Sequence, residues 1–223
     1  EIAQCLVGSE MCIRDRLTIE NPYPLEYAKQ FTVDVCAGGY DLITIDGSRY
    51  LVVPEGAAAL ANLDADITVL QQPIQNIYLV SSSAMDPIIS IGGLGAVALS
   101  GTQAENWYLD AARTAMEQGE IAYAGKYSAP DYETILSADC GFAIENTMIY
   151  HTPEVKEQLE KFGVPVLVER SSYESDPLAR MEWVKLYGIL LGRTEEAERV
   201  FDDAVQRIAP VSYTHLTLPT NSL

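Results

Sequence analysis

The sequence predicts an α/β fold in which helices flank a mostly parallel sheet. Its 223 residues are 48% hydrophobic and 21% charged, the balance of a globular chain with one or two domains. From residue 101 onward, short apolar runs alternate with helical patterns, which is typical of βαβ units. Residues 164–168 form a continuous apolar, largely β-branched run, which indicates a strand buried on both faces.

The first predicted elements form a small β-meander at the N-terminal end. Residues 31–35 alternate as a half-buried strand, and the segments 41–45 and 49–53 flank Asp46-Gly47, a strong hairpin signal. A short strand, a short helix and a further strand are predicted next, at residues 76–80, 84–91 and 97–99.

The later helices are predicted from capping residues, from proline at the first helical position and from glycine stops. Pro130 is expected at the first position of one of them, and Gly192 is expected to interrupt the last, which Thr194 restarts toward Ile208. The predicted helices are 106–118, 129–137, 153–162 and 177–190, and the strands between them are 121–124, 141–145 and 164–168.

The chain is strongly acidic, since 14 Lys and Arg residues oppose 32 Asp and Glu residues for a net charge of −18. A field of that sign repels phosphate backbones, so nucleic acid is not expected as a partner. The acidity is otherwise interpreted as a solubility feature. No apolar run approaches the roughly 20 residues that span a bilayer.

The two ends of the chain do not resemble fold elements. Residues 5–16 read CLVGSEMCIRDR and residues 211–223 read VSYTHLTLPTNSL, and neither string has an apolar period. Both resemble in-frame translations of a transposase sequencing adapter; genuine divergent tails are the alternative. Residues 1–16 and 210–223 are therefore interpreted as adapter-derived tails, and the insert between them is expected to be cut at both ends, without its signal peptide.

Catalytic patterns are weak in this sequence. Residues 81–83 are three serines after a strand, but they lack a G-x-S-x-G motif, and His151 is the only base candidate between the tails. The glycine-rich segment 92–95 follows a helix pattern and lacks G-x-x-x-x-G-K, so a tight turn is expected there rather than a phosphate site.

Charged pairs are expected to be structural. Glu169 and Glu174 flank Arg170, which favours a loop ion pair over acid–base chemistry. Glu182 and Lys185 are three residues apart on a predicted helix, which favours a surface pair.

The insert holds two cysteines, Cys36 and Cys140, in no metal-ligand spacing. Cys140 is expected to act as a small buried hydrophobe, and a disulfide between the two stays open. At least one of Trp107 and Tyr108 is expected in the core.

Four segments resemble, in order, the iron-compound and cobalamin binding proteins of ABC importers. Residues 129–136, APDYETIL, resemble the family's P-D/N-x-E-x-I-L segment, and residues 162–168, FGVPVLV, resemble its G-I-P-V strand. Residues 173–183, YESDPLARMEW, resemble the start of its interlobe helix, and residues 190–198, LLGRTEEAE, resemble the continuation. The resemblance covers nearly all of the insert, and its segments follow in the family's order.

The resemblance implies one lobe of a two-lobed fold. Residues 17–176 would be the N-terminal lobe and residues 177–209 the interlobe helix, with the second lobe largely or wholly absent. It implies an extracytoplasmic protein, periplasmic or anchored as a lipoprotein, that delivers an iron chelate (siderophore or haem) or cobalamin to a membrane permease. No cofactor and no catalysis would be needed. A chelatase or nitrogenase-like two-lobed enzyme is the alternative, and a bare interaction domain is a third possibility.

Ligand residues are expected where the parallel strands end, in four polar loops at 81–86, 125–128, 146–152 and 170–176, of which the last three each contain a tyrosine. A net-negative chelate would require the positive charges that those loops contain. The expected ligand residues are Ser82, Ser83, Lys126, Tyr127, Asn146, Thr147, Arg170 and Tyr173.

One family loop, S-P-S-x-T-E, resembles residues 81–86, SSSAMD. Its glutamate docks on an arginine of the permease, and Asp86 stands at that position here, with Ser82 in place of the proline. The resemblance therefore implies that Asp86 contacts the permease. The alternative is that Asp86 caps the following helix.

Overall fold

The computed structural model describes the backbone of residues 17–214 and side chains as far as Ile208. The interpretation of residues 1–16 as a tail lies outside the described residues, as does that of residues 215–223. The backbone of residues 210–214 continues the last helix, five residues beyond the limit predicted at 209.

The N-terminal part of the described chain forms a sheet whose five strands lie in sequence order. The strands are β1 (Ile19–Pro22), β2 (Phe31–Cys36), β3 (Tyr40–Ile45), β4 (Ser48–Val53) and β5 (Ile67–Gln71). Neighbours are antiparallel, except that β5 runs parallel to β4. The predicted meander is confirmed as β2, β3 and β4, and Asp46 and Gly47 turn the chain with positive φ angles of 49° and 81°. The outer strands were not predicted, because β1 is exposed along its whole length and β5 has no clean alternation.

The central sheet is parallel and confirms the predicted fold class. Its strands are β6 (Ile77–Leu79), β7 (Val97–Ser100), β8 (Ala122–Tyr123), β11 (Phe142–Asn146) and β12 (Val166–Glu169), in the order β12-β11-β6-β7-β8. A separate two-stranded hairpin pairs β9 (Gly125–Lys126) with β10 (Ala129–Pro130). Because β6 lies between β7 and β11, the chain leaves it first toward one edge of the sheet and later toward the other.

The described chain also contains six α-helices: α1 (Ser82–Ser90), α2 (Asp110–Glu117), α3 (Tyr132–Ser137), α4 (Pro153–Lys161), α5 (Pro177–Leu190) and α6 (Thr194–Thr214). Asp176 caps α5 by accepting from the Leu178 amide at 2.8 Å. The predicted break at Gly192 is confirmed, with φ at 65°. Beyond it, α6 packs against α5 so closely that a Cβ on Gly188 would lie 2.5 Å from that of Ala197.

Two predicted helices begin later than expected. Residues 107–109 are extended rather than helical. The buried Trp107 indole donates to Ser100 Oγ at 3.2 Å, and this contact keeps residues 107–109 from joining the first turn of α2. Pro130 does not start a helix but pairs in β10, and the Asp131 side chain caps α3 instead, by accepting from the Thr134 amide.

The main core lies between the two sheets, α1, α5 and α6, and a second core lies on the opposite face of the central sheet with α3 and α4. The Tyr50 hydroxyl of β4 donates to the Val166 carbonyl of β12 at 2.9 Å, and Phe31 meets Trp183 edge-to-face at 4.9 Å. The N-terminal sheet is therefore part of the same packed body as the central sheet.

Glu182 and Lys185 form a buried pair, so the prediction of a surface pair was wrong. Glu182 is fully buried, and it accepts from Lys185 Nζ at 2.9 Å and from three consecutive backbone amides at 2.8–2.9 Å. Burial acts to raise the pKa of Glu182, but these hydrogen bonds outweigh it and lower the pKa. The amides belong to residues 26–28, far away in sequence, which explains why helical spacing alone misplaced the pair.

Glu174 performs the same task next to Glu182. Its buried carboxylate accepts from the Lys29 and Gln30 amides at 2.9 Å and from the Trp183 indole at 3.2 Å. Together, the two carboxylates accept five consecutive amides, those of residues 26–30, and hold that loop against α5.

Cys36 and Cys140 are both buried and free, so the disulfide that the sequence left open is not formed. Cys140 packs in the second core as a small hydrophobe, as predicted. Trp107 is buried, which confirms that one aromatic of its pair belongs to the core. None of the described helices is both long enough and apolar enough to cross a membrane.

Candidate functional site

The loops that follow the parallel strands meet at one edge of the central sheet. We call this the carboxyl edge and define it as residues 80–83, 100–102, 124–127, 146–151 and 170–173. Because the chain leaves β6 in both directions, β6 and β11 form a topological switch point. In α/β sheets, ligands bind in the crevice outside the strand ends at such a point.

The structure places every predicted ligand residue on the carboxyl edge. Ser82 and Ser83 begin α1, Lys126 ends β9, and Tyr127 lies in the turn that follows. The others are Asn146, Thr147, Arg170 and Tyr173, after β11 and β12. These residues differ greatly in the contacts that their side chains make.

Ser81, Ser83 and Glu169 form a cluster, which we call the serine cluster. The buried Glu169 carboxylate accepts from Ser81 Oγ at 3.0 Å and from Ser83 Oγ at 2.8 Å, and its other oxygen accepts from the Ser171 amide at 2.8 Å. The two hydroxyl oxygens are themselves 2.9 Å apart. The cluster therefore ties the end of β6 to the end of β12 across β11.

Arg170 does not pair with its sequence neighbours, so the prediction of a loop ion pair was wrong. Its Nη1 lies 2.6 Å from Asp46 Oδ2, at the tip of the β3–β4 hairpin, and its guanidinium lies 4.6 Å from the centre of the Tyr173 ring. Glu169 and Glu174 are instead satisfied by hydroxyls and backbone amides. Asp46 thus joins the site, although the sequence marked it only as a turn residue.

The remaining predicted residues are less tied to neighbours. Asn146 Oδ1 accepts from the Met148 amide at 2.9 Å and caps the turn after β11, while Thr147 is half-buried. Tyr127 packs partly against the second core. Lys126 is exposed and forms no ion pair with any described residue, so its charge is free to meet a ligand.

Glu145, which was not predicted, lies at the end of β11 on the face opposite Glu169. Its side chain is fully buried, and neither carboxyl oxygen has a hydrogen-bond partner among the described residues. Burial raises its pKa to about 8. A buried carboxyl group that favours its protonated form therefore precedes Asn146 and Thr147 at the end of β11. Its position on an otherwise apolar strand was the signal that could have found it.

The carboxyl edge and its surroundings are rich in exposed aromatic and apolar side chains. Tyr108 is 99% exposed and Tyr173 is 55% exposed. Tyr123, Met148 and Tyr150 are also more than 40% exposed. Such side chains offer flat apolar surface with polar tips, which suits a ligand with both characters.

Asp86 is exposed on α1, and its carboxylate accepts no hydrogen bond from a described residue. The helix begins at Ser82 after Ser81 at the N-cap position, so Asp86 lies in the second turn. The alternative that Asp86 caps this helix was therefore wrong.

The chemistry of the edge suits binding. Both the Ser81 and Ser83 hydroxyls face a carboxylate, an arrangement that differs from a serine paired with a histidine base. Within the described residues, no group of three or more His, Cys, Asp and Glu side chains could hold a metal ion. The carboxyl edge offers a ligand hydrogen-bonding groups, two cations and aromatic faces.

No family model matches the chain. Among curated proteins, it is similar to an uncharacterized lipoprotein of Methanocaldococcus jannaschii, with 22% identity over 72% of this chain and 41% of the relative. The chain thus spans less than half the length of the curated relative that it matches.

Two solved structures illustrate the fold. The siderophore-binding protein BauB, bound to two molecules of acinetobactin and ferric iron, has a TM-score of 0.53 and 11% identity, covering 65% of this chain and 49% of BauB. A periplasmic heme-binding protein from Pseudomonas aeruginosa has a TM-score of 0.49 and 22% identity, over 61% and 45% of the two chains. The first likeness establishes the fold: this chain has the architecture of about half of such a protein.

Proposed function

We propose that this chain is one lobe of an extracytoplasmic solute-binding protein that captures a metal chelate and presents it to an ABC permease. The observation that carries the proposal is the carboxyl edge, a ligand-binding position in parallel α/β sheets, on a fold shared with half of a siderophore-binding protein. The chelate would be an iron siderophore, haem or cobalamin, and a second lobe would close over it. No bond in the ligand would be made or broken.

The side chains on the edge support a chelate as the ligand. Lys126 and Arg170 supply positive charge in a protein of net charge −18, so they would attract an anionic chelate locally. Tyr173 and Tyr127 supply aromatic faces on which a flat chelate can pack. Arg170 can donate two parallel hydrogen bonds to a carboxylate or catecholate, whereas Lys126 acts as a point charge.

Asp86 would contact the permease. Its carboxylate is exposed and has no partner among the described residues, which leaves it free for an arginine on another protein. It lies one helical turn from Ser82, so a docked permease would be close to the ligand.

A titration of the full-length protein tests the proposal. Haemin, cyanocobalamin and a ferric siderophore would each be added to the purified protein, with binding followed by intrinsic fluorescence and calorimetry. Saturable one-to-one binding of one chelate is expected. Failure of all three classes to bind would contradict the proposal, and turnover of a bound chelate would favour the enzyme alternative.

A further inference from the structure

We propose that Glu169 makes the part of the carboxyl edge above β6 a hydrogen-bond acceptor, and that the site therefore selects a ligand that offers an N–H or O–H group there. This inference rests on the proposed function, because it assigns a ligand property to that site. Glu169 would be a positioning residue, since it acts through Ser83 rather than by touching the ligand.

The directions of the Ser81 and Ser83 hydroxyl hydrogens follow from counting the donors and acceptors in the serine cluster. The oxygens of Ser81, Ser83 and Glu169 are mutually within 2.8–3.0 Å, and the two hydroxyl groups hold two hydrogens between them. An ionised carboxylate only accepts, so Glu169 contributes no hydrogen, and its other oxygen accepts a third donor, the Ser171 amide. Whichever hydroxyl donates to the other, both hydrogens stay inside the cluster.

The exposed Ser83 therefore presents lone pairs to the crevice. A carboxylate, phosphate or other bare anion placed there would meet acceptors only, with the buried charge of Glu169 behind them. An amide or hydroxyl of a ligand could instead donate to Ser83 Oγ. Anionic parts of the ligand would lie toward the two cations, Lys126 and Arg170.

Ser82 provides the contrast within the same turn. Its side chain is exposed and makes no hydrogen bond with a described residue, so its hydroxyl can rotate and either donate or accept. Two adjacent serines thus have different recognition chemistry, because Ser83 belongs to the cluster on Glu169 and Ser82 does not.

Tyr187 lies close to the Glu169 carboxylate. Its hydroxyl is buried near Glu169 without a hydrogen-bond partner among the described residues. Burial and the Glu169 charge both raise the Tyr187 pKa well above its usual value. The Ser171 amide also holds Glu169 from its own strand end, so the carboxylate cannot turn away.

The first arm of the test needs no ligand. Proton NMR of the full-length protein should show a protected hydroxyl proton for Ser83 and none for Ser82, and Glu169→Gln should abolish the Ser83 signal. The glutamine amide can donate to the serines, so a serine hydrogen is released to the crevice. A Ser83 hydroxyl that exchanges as fast as that of Ser82 would overturn the proposal.

The second arm measures selection, with cyanocobalamin as a probe rich in amide donors and haemin as a probe that carries carboxylates. Glu169→Gln should weaken cyanocobalamin binding and strengthen haemin binding, each by up to about tenfold, the upper end for one hydrogen bond between neutral groups. Ser83→Ala should weaken the binding of cyanocobalamin but not that of haemin. This variant replaces Glu169→Gln in the test if Glu169→Gln fails to fold. Ser82→Ala, the matched control, should not reverse the preference.

The outcomes separate the two proposals. If neither probe nor a ferric siderophore binds the wild-type protein, the proposed function fails, while the NMR arm still decides the acceptor character of Ser83. If the probes bind but Glu169→Gln changes both affinities in the same direction, the selection is overturned and the proposed function stands.

Discussion

Arg170 Nη1 lies 2.6 Å from Asp46 Oδ2, which joins the end of β12 to the tip of a hairpin in the other sheet. The expected anion-binding cation is therefore already partly neutralised. The Asp46 side chain is 52% exposed and the Arg170 side chain 16% exposed, so a ligand can reach the pair from the Asp46 side and compete with it.

Substitution at this pair should change affinity in opposite directions. In the full-length protein, Arg170→Ala should weaken an anionic chelate by about 1.5 kcal/mol, the lower end for a charged hydrogen bond, because Asp46 shares the guanidinium. Asp46→Asn should strengthen the same chelate, because Arg170 is released. Calorimetry with haemin measures both, and equal affinities in wild type and both variants would place the anion elsewhere.

Asp86→Ala should leave chelate affinity unchanged and impair uptake, because the proposed partner of Asp86 is the permease. Uptake of a radiolabelled chelate by cells that carry each variant is the measurement. Asp86→Glu should retain uptake, and Glu117→Ala, an exposed acid on α2, is the control. Normal uptake with Asp86→Ala would remove this residue from the docking surface.

Glu145 should make stability depend on pH. Its pKa rises from 4.5 to about 8 on folding, so the folded state favours the protonated form. Stability through this group is complete below about pH 4.5 and is lost as the pH rises toward 8, by roughly 3–5 kcal/mol.

Glu145→Gln should remove this loss, because glutamine stays neutral. Chemical unfolding at pH 5 and pH 8 should show a smaller difference for the variant than for wild type. Glu157→Gln, on the exposed face of α4, should behave like wild type. Identical pH profiles for Glu145→Gln and wild type would mean that the buried carboxyl is ionised or hydrated.

The buried pair on α5 should respond unequally to its two single substitutions. Glu182→Met removes the acceptor of three amides and leaves Lys185 buried without its carboxylate, so it should destabilise by about 3–5 kcal/mol. Lys185→Met should destabilise less, because Glu182 keeps those amides. Thermal unfolding compares the two, and a larger effect from Lys185→Met would contradict this account.

Short sequence patterns correctly predicted the elements whose conformation is decided by neighbouring residues, namely the hairpin turn and a buried strand. Asp46-Gly47 predicted a hairpin because positive φ angles are needed there, and residues 164–168 predicted a buried strand because both faces are covered. Pro130 misled because the turn at Tyr127 and Ser128 folds the chain back, so that Pro130 pairs with Gly125 as part of β10.

The site was only partly predictable, because local patterns locate its loops but not the contacts between residues that are distant in sequence. The loops were found from strand order, since parallel strands end at one edge. Glu169, Asp46 and the amide partners of Glu182 could not be found, because each partner lies more than 80 residues away in sequence. Helical or strand periodicity contains no information about such contacts.

The hydrogen bonds from the five amides of residues 26–30 to Glu174 and Glu182 also set how fast these amides exchange hydrogen with solvent. A surface loop without helix or strand ordinarily exchanges its amide hydrogens with solvent quickly through local opening. Here, exposure of any of these amides requires Glu174 or Glu182 to lose its acceptor role inside the core. The loop should therefore exchange at the rate of global unfolding, and the N-terminal sheet should unfold together with α5 as one cooperative unit.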